Sequence, residues 1–377
     1  MKFGVCAIFV VLAGFTFGIA TRTVNAASAA GWDTQQVLQP QIVTCTPTGF
    51  VRDSINLTAA MINPHGTVTG QVDATGCNIG VYYGHGVKGT VSHAEIFGTN
   101  YFGVVNDGGN VTIKDSAIHN IGEVPFNGTQ HGVGIYFSFG SSAKGNIQNN
   151  QVWKYQKNGI VVSGTGTSAE ISGNTVTGQV PVDYIAQNGI EIGFGAKATV
   201  TDNTFRGNSY TGDGLVSSGG ILVVGGVCYG TGDPLAAKSE ITGNHVTGND
   251  VGIWLSNLDA SCGPATTPTK IEVKNNISRN DAVTNTSGAG KIGSAYQAGI
   301  SDQGDQDVIS KNQTCGLGYT PMTPPPPFLM MIDVTYTNDV TLNGNTICGT
   351  SGSTTNNSLI RANQISRPKS VIASAVK

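Results

Sequence analysis

Residues 159–176 read GIVVSGTGTSAEISGNTV, and residues 189–205 read GIEIGFGAKATVTDNTF. Each stretch opens on Gly-Ile with a strand-like run behind it and closes on apolar-x-x-Asn-x-apolar, with Asn174 and Asn203 as the fixed residues. The opening recurs as Gly80-Val81, Gly103-Val104, Gly134-Ile135, Gly220-Ile221, Gly252-Ile253 and Gly299-Ile300, and the closing recurs around Asn150, Asn244 and Asn345. Degenerate copies stand at Asn276 and Asn312, where Ser278 and Thr314 take the final apolar place. From Gly134 onward, each Gly-Ile is followed by one Asn unit.

The spacing selects the architecture. Gly-to-Asn distances in the tight copies are 13–16 residues and Asn-to-next-Gly distances fall to 8 or 9, so the minimal repeat is a little over 20 residues. A propeller blade needs about 40, and no helical segment lies inside the repeat. One coil of a parallel β-helix fits, with short strands and the same bend stacked above itself from coil to coil. Stacking also gives the Asn a role: its amide bonds to the equivalent Asn of the adjacent coils and satisfies polar groups buried along the axis. The predicted fold is an all-β, single-stranded parallel β-helix of about ten coils.

Composition agrees. The 377 residues include 53 Gly, with 11% charged and 7% aromatic side chains, a mix that favours short strands and tight turns. The formal charge of -3 offers no bulk attraction for a polyanion, so no nucleic acid partner is expected. Lys2, the apolar run Phe3–Ala20 and Val24-Asn25-Ala26 form a secretory signal over residues 1–26. The expected mature chain is secreted, extracellular or periplasmic, monomeric and free of the membrane. Residues 27–75, with Trp32, read as an N-terminal cap over the open coil end, residues 76–350 as the β-helix and residues 351–377 as a C-terminal tail.

Six cysteines remain after the signal, and the register pairs them. Cys315 and Cys348 each lie three residues after a ladder Asn, which puts them one strand spacing apart. Cys228 and Cys262 fall in the long bends of consecutive coils. Cys45 and Cys77 remain for the cap.

Across roughly residues 60–350 the repeat resembles the right-handed parallel β-helix proteins of the pectate-lyase-like superfamily. The resemblance implies an Asn ladder at the short bend, two bends of variable length, and a carbohydrate groove along the Gly-Ile strand between them. The enzyme motifs of that superfamily are poorly matched. Gly84-His85-Gly86 has the Gly-His-Gly of polygalacturonases without the aspartates that precede it there, and Asn63-Pro64-His65-Gly66 lacks the acidic ends of the epimerase element.

With the residue after Gly turned inward, the next one faces outward. Tyr82, Val105, Tyr136, Val161, Glu191, Leu222, Trp254 and Ser301 then form one outward column. Tyr82, Tyr136 and Trp254 are candidate sugar-stacking residues, with packing under the long bends as the alternative. Asp107, His131, Lys157 and Glu191 are the candidate catalytic residues. Elimination from a uronate draws on Lys157, His131 and Tyr136, whereas hydrolysis draws on the carboxyl groups of Asp107 and Glu191. The expected partner is an extracellular acidic polysaccharide, bound or modified by a lyase, epimerase or hydrolase; a non-catalytic surface or adhesive β-helix is the alternative. No cofactor is expected; Asp302, Asp305 and Asp307 have calcium-like spacing but lack a terminal Glu and read first as a solvated bend, with calcium as the alternative.

Overall fold

The computed structural model describes residues 44–137, 142–179, 181–212, 216–285, 296–320 and 328–348. Its strands wind as a parallel β-helix. One sheet carries one strand from each coil, with parallel pairing from β2 (Ile55–Ile62) through successive Gly-Ile strands to Phe328–Asp333, ten coils among the described residues. The other two strands of each full coil form a lateral sheet that runs on from face to face. β1 (Thr46–Arg52) pairs antiparallel with β2 at the N-terminal end. Parallel stacking therefore begins at Ile55, inside the segment read as a cap, because Ala59 and Met61 already register with Ile79 and Val81. The expected signal (residues 1–26), residues 27–43 of the expected cap and the expected tail (residues 351–377) lie outside the described residues.

Val81, Val104, Ile135, Ile160, Ile190, Ile221, Ile253, Ile300 and Ile332 stack into one fully buried inward column. Each contributes on the order of 2 kcal/mol by leaving water. The glycine ahead of each is required by close approach. A Cβ on Gly80, Gly103, Gly134, Gly159, Gly189, Gly220 or Gly252 would stand 2.5–2.7 Å from the carbonyl oxygen of the next glycine in the series. Side chains at these positions would push adjacent coils apart.

The Asn ladder forms as expected. Asn174 donates its backbone N–H and its Nδ2 to Oδ1 of Asn203, both at 2.9 Å, and Asn203 does the same to Asn244 at 2.9 and 3.0 Å. The rungs run from Asn150 to Asn345. Ser116 takes the preceding place, its hydroxyl accepting from the Ala94 N–H. The residue before each rung turns through the left-handed region: Asp115, Asn149, Gly173, Asp202, Gly243, Asn275, Lys311 and Gly344 have φ of 51–70°. That conformation suits the Gly, Asn and Asp found at seven of these eight positions.

All three disulfides join the predicted partners, with Cα separations of 5.3 Å for Cys45–Cys77, 5.0 Å for Cys228–Cys262 and 4.6 Å for Cys315–Cys348. Three such bonds belong to an oxidising compartment. Among the described residues no helix is long and apolar enough to cross a membrane.

Candidate functional site

The outward column exists in the predicted register. Tyr82, Val105, Tyr136, Val161, Glu191, Leu222, Trp254 and Ser301 pair strand by strand. It is not open to solvent. Every residue of the column is buried, and Glu191 and Trp254 are 0% exposed. This corrects the expectation of exposed stacking residues.

The covering groups come from distant sequence. Phe50 of β1 stacks at 6.3 Å on Tyr82 and lies 6.5 Å from Tyr136. The Arg52 guanidinium sits 5.8 Å from the Phe102 and Tyr136 ring centroids and donates to the Tyr136 hydroxyl at 3.2 Å. At the other end, Phe194, Tyr229, Tyr296 and Phe328 pack with Leu222 and Trp254. The Trp254 indole N–H donates to Gln303 Oε1 at 3.0 Å, so Trp254 is a packing residue rather than a sugar platform.

Each candidate catalytic group also has an intramolecular partner. Half-buried Asp107 accepts from the Tyr82 hydroxyl at 2.8 Å. His131 Nε2 lies 2.6 Å from Glu123 Oε1, and its ring stacks 3.9 Å from Tyr101. Glu191 accepts from Asn158 Nδ2 at 2.8 Å, in line with an Asn188-to-Asn158 bond of 3.1 Å. Lys157 Nζ donates to the Ala186 carbonyl at 3.0 Å. Burial pushes the Lys157 ammonium below the ordinary lysine range, while the neighbouring Glu191 charge draws it partly back. A lysine so tuned has the chemistry of a base, but its nitrogen is held inside the protein. Arg52, Glu123 and Asn158 escaped the sequence reading because each joins this cluster only through tertiary contact.

An open polar surface lies on the lateral sheet instead. A trough of about 530 Å³ is lined by Lys144, Asn146, Glu170, Lys197, Lys238 and Glu240, together with neighbouring Asn110, Ser168 and Thr199. Asn110, Lys144, Ser168 and Lys197 are in register on four consecutive coils, as are Asn146, Glu170, Thr199 and Glu240. Alternate coils thus place Lys144 and Lys197 about 10 Å apart along the axis. The three lysines and two glutamates are exposed, and the ion pairs of the described residues involve none of them. A sequence signal for this face exists: Lys144, Lys197 and Lys238 each stand six residues before a ladder Asn, and Glu170 and Glu240 stand four before.

Residues 59–176 match the family model described as a right handed beta helix region. No curated protein matches the sequence. Among solved structures, the crystal structure of the Dettilon tailspike protein is similar at 13% identity and a TM-score of 0.42, covering 74% of this chain and 56% of that one.

Proposed function

Taking the chain as a right-handed parallel β-helix repeat protein, we propose that it is a secreted, monomeric, non-catalytic binder of a linear acidic polysaccharide, which lies along the lateral trough. The carrying observation is the row of unpaired cations and carboxylates at coil spacing, on a surface that is already open. An extended uronan repeats its groups along its length, as the coil does, so lysines meet its carboxylates while Glu170, Glu240 and the amides meet its hydroxyls. Rigid strands hold these side chains, which limits the ordering cost of binding. With a net charge of -3 the protein does not attract a polyanion from afar, and selection comes from the local contacts.

Burial of Tyr136, Lys157, Glu191 and Trp254 supports binding over modification, since a substrate atom must come within hydrogen-bond reach of a catalytic group. The test is affinity electrophoresis of the mature protein through gels containing polygalacturonate, alginate or neutral dextran. Retardation by a uronan and at least a tenfold loss of it in a Lys144→Glu, Lys197→Glu double variant are expected. Undiminished retardation of that variant moves the site elsewhere, and no retardation by any uronan leaves the structural, adhesive role. Release of unsaturated uronate or reducing ends would overturn the non-catalytic reading.

A further inference from the structure

Asp302 and Asp307 stand at positions that are apolar on neighbouring coils. Asp302 pairs with Leu255, which continues an inward column through Val223, Ile192 and Val162. Asp307 follows Ile271 on the adjoining face, one residue before the Glu272–Val308 pair. Both are fully buried, and Asp305 is nearly so, so the segment is not the solvated bend that its composition suggests. The two carboxyl groups lie close enough that each perturbs the other.

Their partners leave a gap in the accounting. Asp307 Oδ1 accepts from the Thr269 hydroxyl at 2.7 Å and the Ile271 N–H at 2.6 Å, whereas Asp307 Oδ2 is shielded from solvent and no N–H or hydroxyl donor reaches it, leaving a proton shared with the Asp302 carboxyl as the one hydrogen bond open between the two acids. That oxygen points under Gly304, where even a Cβ would come within 2.0 Å of it. Asp302 Oδ2 and the Gly304 carbonyl both lie 3.0 Å from the Thr337 hydroxyl, whose one hydrogen serves only one of them at a time, although the carbonyl also accepts from the Asn338 N–H at 3.2 Å. Two carboxylates, a carbonyl and a hydroxyl therefore converge on one corner of the last coils. Burying two like charges side by side is costly unless a cation or a shared proton compensates.

We propose that this corner is a calcium site, with Asp302 and Asp307 as charged ligands and the Gly304 carbonyl and Thr337 hydroxyl as neutral ones. An all-oxygen donor set with two carboxylates suits a hard divalent cation, and flexible oxygen coordination suits calcium over magnesium. Bound there, the ion ties the bend 303–306 to residue 337 of the final coil and pins the C-terminal end of the stack.

The experiment uses the mature protein stripped with chelator, with calorimetric titration and thermal melting in calcium or in magnesium. One calcium per chain and a rise in melting temperature of several degrees are expected, with a smaller response to magnesium. Asp302→Asn removes half of the repulsion. It is expected to melt above the calcium-free parent and to lose the calcium response, while Thr337→Val keeps the fold and binds at least several-fold more weakly. Absence of calcium heat and of any melting shift at millimolar calcium overturns the proposal in favour of a proton-sharing pair. An equal shift with both metals, or one retained in Asp302→Asn, overturns it as well.

Discussion

Replacing Asn203 by Ala tests the ladder at its centre. The side chain accepts from the Asn174 N–H and Nδ2, and it donates to the carbonyls of Ile171 and Thr201 and to Asn244 Oδ1. Some of these partners keep other bonds: Asn174 Nδ2 still reaches the Ile147 carbonyl, Thr201 O still accepts from the Gly173 N–H, and Asn244 Oδ1 still accepts from the Asn203 N–H. The Asn174 N–H and the Ile171 carbonyl lose the Asn203 side chain, deep in the stack. At roughly 1–3 kcal/mol for each buried group left unmade, the loss is about 2–6 kcal/mol, a large part of the stability of a typical domain. The assay is equilibrium denaturation in urea, with hydrogen exchange at the Asn174 amide as a local readout. Asn110→Ala is the control, since its side chain is exposed and makes no hydrogen bond among the described residues, and it is expected to stay within about 0.5 kcal/mol of the parent. If Asn203→Ala is indistinguishable from that control and the Asn174 amide stays protected, the ladder contributes no net stability and the reasoning fails.

Gly189→Ala is expected to cost about 1–3 kcal/mol, because its Cβ would stand 2.6 Å from the Gly220 carbonyl and 2.9 Å from the Phe205 ring; Gly84→Ala, with its nearest contact at 3.5 Å, should be near neutral by the same melting measurement. The Asp250 carboxyl, 0% exposed, is pushed up to about 7 by burial, against hydrogen bonds from Ser209, Ser218, Tyr210 and Asn285. The folded chain then keeps a proton that the unfolded chain has released above about pH 4, so this group's contribution is full below pH 4 and is lost as pH rises to about 7. Asp250→Asn keeps the shape and lets Ser209 accept from the new amide; a urea series across that range should show a flatter slope, and an unchanged slope rejects the assignment.

The sequence alone determined the coil, its register and its crosslinks. One residue of the repeat maps to one place on the stack, so Gly159, Asn174 and Cys315 could be placed on the coil from spacing alone, and their partners followed from counting. The reason for each glycine needed the structure, since the carbonyl that excludes its Cβ belongs to a coil 20 to 50 residues away. Exposure was decided only in three dimensions. Tyr136, Glu191 and Trp254 alternate outward as the pleat requires, yet outward from the core is not outward to water: Phe50 and Arg52 arrive over Tyr136 from a strand with no sequence mark for that contact. The lysines six residues before the ladder Asn were legible as a spacing, but only the folded lateral sheet shows them lining one trough. The acidic run 302–307 likewise carried no sign of its depth. Asp302 and Asp307 point inward, where a residue's surroundings are set by the coils stacked on either side.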